Sequence, residues 1–577
     1  MKVFILATAF SGLCQRIQRE LILLGHEIQE HYDLEPDSLR LQLNAFGPDV
    51  VLCPFLTQRI PDDVWKTYLC LVVHPGIEGD RGPSSLDWAI SQNCSEWGVT
   101  LLQANAEMDM GDIWQTKNFS MRNASKISIY KREVSTSAIN HIKKALIAIE
   151  SDRKMSRPLN YENVNVVGQL QPYMRQSYRK INWDNETTGD ILQKIHAADT
   201  NPGVLDSING YEVYLYGARA EHTLTGKAGE IIAIHQGSCC RATRDGAIWI
   251  RQLKCRTHNK LPAVKLPASM ILNELLTDRQ KNALLDASVF VPHDDIRVEK
   301  KGGTAFVTFD FYNGAANTQQ CIELKNRLIA LKQSDVKCIV FMGGEDFWSN
   351  GIHLNCIEAN QNVAQESWLN INAINDVVYE MINCPKQMTI AALRNNAGAG
   401  GAIMALACDK VLVRDGVVLN PHYASMGLFG SEYWTYLLPK RIGISDAKRI
   451  MRQCKPMLAS EAMDKRIADE LLPEDWQSYH DALHKRCEQI VTRTSWPEFF
   501  AQKFKQRERD EKRKPLNAYR REELAEMKKT FDNPYAEYHQ LRHNFVHKIK
   551  AEKQVERETK SMAAVAWEAL GGSLRSA

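Results

Sequence analysis

Short apolar runs alternate with polar stretches of helical spacing along the first part of the chain. Lys2–Ala7 reads as a strand and Ser11–Leu24 as an amphipathic helix. Val50–Cys53, Leu69–Val73 and Val99–Gln103 read as further strands, and a helix is expected to begin at Trp88–Ile90. Strands alternating with helices predict a Rossmann-like parallel sheet covered on both faces, with ligands at the carboxyl ends of the strands. Residues 151–165 are polar and read as a linker. From Ile181 to Leu285 the pattern changes. GYEVYLYGARA and KAGEIIAIHQGSCCRATRDGAIWIRQLK alternate in short runs broken by Gly and Asp, which predicts a small β-barrel. A third region starts near Pro292, where GTAFVTFDFYNGAAN and VKCIVFMGGEDFWSNGIHLN give strands followed by glycine-bearing loops. After Pro497 the chain is charged and helical, the pattern of a solvated face. The last stretch, SMAAVAWEALGGSLRSA, is expected to fray. The fold class that results is α/β multidomain. Its expected parts are a parallel-sheet domain at 1–165, a barrel at 166–286, an α/β domain with a helical extension at 287–545, and a tail at 546–577.

Composition narrows the classes. A chain of 577 residues exceeds a single core. With 44% hydrophobic and 24% charged residues it has the make-up of a soluble globular protein. A net charge of +3 gives no electrostatic reason to expect nucleic acid as a partner. No apolar run approaches the ~18 residues of a membrane span. The opening MKVFILATAFSGL is followed by QRIQRE, which favours a buried first strand over a signal segment. The 14 cysteines are scattered without a CxxC pair. Reduced thiols in a cytoplasmic protein are therefore expected, with neither a disulfide framework nor a metal site.

Two stretches carry candidate chemistry. In the first, Thr389–Leu393 is an apolar run followed by Gly398, Gly400 and Gly401 and by the apolar segment Ala402–Cys408. A glycine-rich strand-to-helix junction lets a ligand approach the backbone and offers amides to an oxyanion. Downstream, Glu432 lies among Tyr423, Tyr433, Trp434 and Tyr436. A carboxylate in aromatic surroundings is a candidate acid or base with a raised pKa. In the second stretch, His74 ends an apolar strand in LVVHPGIEGDRGPSSLDWAI, and Asp109 follows another in NAEMDMGDIW. A His and an Asp on neighbouring strand ends can orient each other for proton transfer. Taken singly, each of these residues reads equally as a cap or a turn.

The pattern HPxxxxxRGPxxxxWAI, then GVTLLQxxxxxDxGDIW, resembles the formyltransferase family that uses formyl-tetrahydrofolate. CPFLTQRIP resembles that family's folate-pocket loop. The resemblance implies that His74 polarises the formyl group, that Asp109 manages a proton or a water, and that Arg81, Gly82 and Pro83 shape the folate pocket. The family carries an Asn two residues before its His, where this chain has Val72. The change implies a weaker oxyanion site, another donor, or a different acceptor such as a thiol. The likeness continues into the barrel from INWDNETTGDILQKIHAADTNPG. The tRNA-binding role of that family's barrel is not implied here, because the segment has no Lys/Arg excess.

The glycine-rich stretch resembles the crotonase (enoyl-CoA hydratase/isomerase) family. The match is Gly-Gly-x-x-x-x-x-Ala-Cys-Asp, a strand, Asn-Pro, Gly-x-x-Gly and Leu-Pro-Lys-Arg-Ile-Gly. The family's catalytic glutamates are missing: Ile403 stands at the first position and Tyr423 at the second, with Glu432 on the next turn. The resemblance implies a coenzyme A thioester site at Ser349, Asn350, Gly351, Gly400 and Gly401, with the amides of Asn350 and Gly400 as oxyanion donors. It also implies an adenine contact near Tyr312–Asn317. His353 replaces an acidic family position and reads as a buried histidine.

A formyltransferase head on a crotonase tail resembles the HypX/HoxX family of nickel–iron hydrogenase maturation factors. That likeness implies two substrates, 10-formyl-tetrahydrofolate and coenzyme A. It implies formyl transfer to the thiol at His74 and Asp109, then decarbonylation of formyl-CoA, with Glu432 as base and Tyr423 as its partner. The carbon monoxide released would serve the Fe(CN)2CO centre, with other maturation proteins as partners. Three alternatives stay open: a formyl-CoA hydrolase giving formate, a formyltransferase acting on an amine beside a structural crotonase half, and a non-enzymatic scaffold.

Overall fold

The computed structural model describes residues 1–549 except 154, 259, 260, 286–293 and 494. Residues 1–290, without the segment 260–266, make one compact unit; that segment and the later residues make a second. The expected boundary at 286–287 and nearly all of the tail from 546 lie outside the described residues.

The first unit opens with a six-stranded sheet. Its strands are β1 (Lys2–Ala7), β2 (Glu27–His31), β3 (Val50–Phe55), β4 (Cys70–His74), β5 (Glu96–Gln103) and β6 (Ile113–Ser120), in the order β2-β1-β3-β4-β5-β6. Alternate residues of the central strands face two separate apolar clusters. Val3, Ile5, Val50, Leu52, Leu71 and Val73 lie in one, and Phe4, Leu6, Val51, Cys53 and Cys70 in the other. Burial on both faces is why these strands read as continuous apolar runs. The first four strands are parallel, while β5 and β6 are antiparallel additions. The register pairs His74 with Thr100 and Leu71 with Gln103. His74 and the end of β5 therefore lie at opposite ends of the pair, and the expectation of neighbouring strand ends is corrected. The helix expected at Trp88 spans Ser85–Ser91, because the polar residues Ser85 and Asp87 are themselves buried on its first turn.

The polar segment expected as a linker is a strap on the His74 loop. Arg157 pairs with Glu78 at 2.5 Å, Tyr161 Oη donates to the Gly79 carbonyl at 3.0 Å, and the Gly168 amide donates to the Glu78 carbonyl at 3.3 Å. The strands expected as a barrel are β7 (Val204–Ile208), β8 (Tyr211–Glu221), β9 (Ile231–His235), β10 (Ser238–Ala242) and β11 (Ala247–Cys255). They form an antiparallel path β7-β8-β11-β10-β9 that ends at β7 and β9 among the described residues.

The second unit is built on a sheet of Ile296–Lys301, Thr304–Phe309, Cys338–Phe341, Met388–Leu393, Lys410–Arg414 and Glu470–Leu472, hydrogen-bonded in that order. All neighbours are parallel except the first pair. A smaller sheet of Ala397–Gly398, Val418–Asn420 and Met457–Leu458 stands beside the glycine-rich junction. Four helices close the described chain: Trp476–Val491, Trp496–Arg513, Leu516–Asp532 and Glu537–His547. The solvated face expected after Pro497 holds for Trp496–Arg513, which buries no residue. It does not hold for Leu516–Asp532, which buries Leu516, Leu524, Met527, Phe531 and the charged Glu523. Apolar residues at helical spacing decide that face despite the charges around them.

Candidate active sites

His74 closes β4 and points between two carboxylates. Its Nε2 lies 2.7 Å from Asp80 Oδ2, and its Nδ1 lies 3.6 Å from Asp109 Oδ1. The loop 104–112 folds back along the sheet to deliver Asp109, whose other oxygen accepts from the Gly82 amide at 3.0 Å. Arg81 holds that loop from outside: Nε donates to the Met108 carbonyl at 3.0 Å and Nη2 to Glu107 at 3.1 Å. Gly76 has to be glycine, because a Cβ there would fall 2.3 Å from Asp80 Oδ2 and 2.4 Å from His74 Nε2. Burial works against a charged imidazole here, but the Asp109 and Asp80 carboxylates outweigh it and raise the pKa of His74 above its ordinary value. His74 and Asp109 face a cavity of about 490 Å³, together with Phe55, Ile60, Val72 and Tyr130. Gly82 and Pro83 form part of its rim. Val72, which stands where the resembled family carries an Asn, gives this cavity a hydrocarbon wall.

In the second unit, Glu432 and Tyr423 come together. Tyr423 Oη donates to Glu432 Oε2 at 2.7 Å, and both side chains are buried. Burial raises the carboxyl to about 7, and the Tyr423 hydrogen bond works in the opposite direction. The carboxylate lies on the glycine-rich junction. A Cβ at Gly400 would fall 2.1 Å from Glu432 Oε1, and one at Gly401 would fall 2.2 Å from the Ser349 carbonyl. Gly400 is the first residue of the helix Gly400–Met404, a position whose amide has no intrahelical acceptor. Gly351 packs against that amide, and its own N–H lies 3.2 Å from Ser349 Oγ. The Asn350 amide is different: it donates to the Gly314 carbonyl at 2.7 Å. The expected second oxyanion donor is therefore already committed, because the loop at Gly314 packs into its place. Ile403, at the first lost glutamate position, is a buried core residue. His353 caps the helix Leu354–Glu358, its Nδ1 accepting from the Cys356 amide at 3.2 Å, in keeping with a structural histidine.

Backbone strain concentrates at this site. Ala399, Glu432 and Tyr433 have φ of 44°, 61° and 61°. Non-glycine residues hold such angles only where their surroundings over-determine them, at about 1–3 kcal/mol each. Asn375 supplies one restraint, accepting from the Glu432 amide at 2.9 Å and donating to Ser431 Oγ at 2.6 Å. Glu523 supplies the other. Its buried carboxylate accepts from the Tyr433 amide at 2.9 Å, the Thr435 amide at 2.8 Å and the Thr435 hydroxyl at 2.5 Å.

Comparison with known proteins agrees with both halves. The family model for the formyl transferase C-terminal domain matches residues 174–269, and that for enoyl-CoA hydratase/isomerase matches residues 299–554. The hydrogenase maturation factor HoxX of Bradyrhizobium diazoefficiens is 39% identical over 95% of each chain. The chain belongs to the HoxX/HypX family of hydrogenase maturation factors. HypX from Aquifex aeolicus in complex with tetrahydrofolic acid superposes with a TM-score of 0.90 at 37% identity, covering 96% of this chain and 97% of that one.

Three residues of this HoxX/HypX member escaped the sequence reading. Asp80 lies within the quoted HPGIEGDRG run, but nothing in the spacing says that its side chain turns back to the histidine. Asn375 and Glu523 are 57 and 91 positions from Glu432 and carry no local signal. A charged residue on the apolar face of Leu516–Asp532 was the one available clue to Glu523.

Proposed function

We propose that this family member makes carbon monoxide in two steps. The first moves a formyl group from 10-formyl-tetrahydrofolate to coenzyme A, and the second splits formyl-CoA. The folate assignment is supported by the complex of the similar Aquifex aeolicus protein and by the cavity beside His74. In the first step the thiolate sulfur attacks the formyl carbon, the bond to N10 breaks, and N10 takes a proton. His74, whose pKa its two carboxylates raise, polarises the formyl oxygen from its cavity side, and Asp109 moves the proton. The imidazole stands in for the donor lost at Val72. A thiolate is also a strong enough nucleophile to need less polarisation than an amine does.

In the second step the formyl carbon gives up its proton and the carbon–sulfur bond breaks. Carbon monoxide leaves, and the proton returns to sulfur. Glu432 takes the proton, Tyr423 steadies the carboxylate, and the Gly400 amide holds the carbonyl oxygen. The observation that carries this reading is the buried Tyr423–Glu432 pair against Gly400, in a site without the two glutamates that hydration requires. Formyl-CoA has no α-carbon, so no enolate can form, and one base suffices.

The test is to mix the protein with formyl-tetrahydrofolate and coenzyme A and to trap the gas with deoxyhaemoglobin. Carbon monoxide should appear only with both substrates. From supplied formyl-CoA, which bypasses the first step, the rate should rise as the pH passes through about 7, where Glu432 ionises. Glu432→Gln should lower the rate by roughly 100-fold or more while formyl-CoA accumulates. Formate in place of carbon monoxide would make the second site a hydrolase. Parental gas release by the Gln variant would remove Glu432 from the reaction.

A further inference from the structure

The helix Glu537–His547 carries His543 and His547 four positions apart, so both rings leave the same face. They converge on one oxygen of Glu358, the last residue of the helix Leu354–Glu358. His543 Nδ1 lies 2.7 Å and His547 Nε2 3.2 Å from Glu358 Oε1, and the two rings are 4.3 Å apart between centroids. The other oxygen, Oε2, is held by Arg542 Nε at 2.7 Å. The carboxylate is thus fixed from behind while its free edge faces two imidazoles. Outer contacts of this kind orient a metal ligand. The three donor atoms all lie within 4.8 Å of one another. A tetrahedral ion with bonds of about 2.0–2.2 Å fits between them after small side-chain shifts. The side chain of Glu358 is 10% exposed and that of His543 46%, so the open side of the cluster faces water that can complete the coordination.

We propose that Glu358, His543 and His547 form a site for one divalent transition-metal ion of the zinc class, with water in the remaining positions. Two imidazoles and one carboxylate are a borderline donor set. They favour zinc, nickel or copper over magnesium or calcium. The ion takes one lone pair from each neutral ring and one from Glu358 Oε1, replacing the hydrogen bonds those rings now make to that oxygen. It ties the helix Glu537–His547 to the helix Leu354–Glu358, which directly follows the Ser349–His353 loop of the second site. None of this depends on the reaction proposed above.

The full-length protein, stripped with a chelator, is titrated with Co²⁺ and then with Zn²⁺. One Co²⁺ per chain with a visible absorption band, displaced by Zn²⁺, is expected, together with a rise in Tm on adding Zn²⁺. Both signals should vanish in the His543→Ala, His547→Ala double variant. Should that variant fail to fold, His543→Gln at the half-exposed ring should weaken binding by roughly 10- to 100-fold with its circular dichroism unchanged. No uptake at 100-fold excess Co²⁺, or equal uptake by the variants, overturns the site. Equal uptake would point to thiols such as Cys94 or Cys454, the two cysteines that are not buried.

Discussion

Asp80 reaches His74 Nε2 at 2.7 Å, on the opposite side of the ring from Asp109. An imidazole between two carboxylates stays protonated to higher pH than one with a single partner. If the cation polarises the formyl oxygen, formyl transfer should fall as the pH rises through the raised pKa of His74. Asp80→Asn removes one of the two anionic partners and so lowers that pKa. The basic limb of the formyl-transfer rate should move to lower pH, with at least a 10-fold loss at neutral pH. Asp80→Glu should restore part of the shift. A limb that stays in place would mean that Asp80 only braces the loop. The sequence displayed His74 and Asp109 through their motif, but Asp80 needed the fold, because a loop must turn back before residues six apart can meet.

Among the elements, the turn Ser431–Tyr433 is the most constrained. Two successive residues at φ near 61° are followed at once by the helix Trp434–Ile442. Glu523 accepts the N–H groups of Tyr433 and Thr435, so a carboxylate from a distant helix caps this one. Burial raises this carboxyl to about 8, while the hydrogen bonds from Thr435 and Tyr433 pull the other way. Glu523→Gln offers one acceptor oxygen and turns an NH2 group toward other donors, leaving buried amides unpaired. Carbon monoxide release should drop at least 10-fold, and formyl-CoA formation should be unchanged. Loss of both steps together would show a general fold defect. The charge pattern alone gave a helical region after Pro497 but read its charges as solvent-facing. Packing against the second unit's core buries the Glu523 carboxyl, and the amides of the turn donate to it.

At the scale of the whole molecule, the His74 cluster and the Tyr423–Glu432 pair lie in separate compact units. Each should be silenced without the other. His74→Ala should abolish carbon monoxide production from formyl-tetrahydrofolate and coenzyme A, yet leave release from supplied formyl-CoA within about twofold of the parent, since sites that share no partner behave additively. Failure on supplied formyl-CoA would mean that the second step also needs the first unit intact. The order of the two motif-bearing regions was readable from the sequence. The strap at residues 157–168 was not, because polar residues that bond to a neighbouring loop look like those that bond to water.

By itself the sequence determined the α/β class, the two candidate stretches, the family and the substitutions at Val72, Ile403 and Tyr423. These are matters of local periodicity and motif spacing, which survive in one dimension. Tertiary structure decided the rest. It set β5 antiparallel to β4, turned Asp80 and Asp109 onto opposite edges of one ring, and gave the Asn350 amide to Gly314. It also put Glu432 on Gly400, with Tyr423, Asn375 and Glu523 fixing it there. Each of these depends on groups far apart in the chain meeting in a buried space, where a hydrogen bond or a charge has no water to replace its partner.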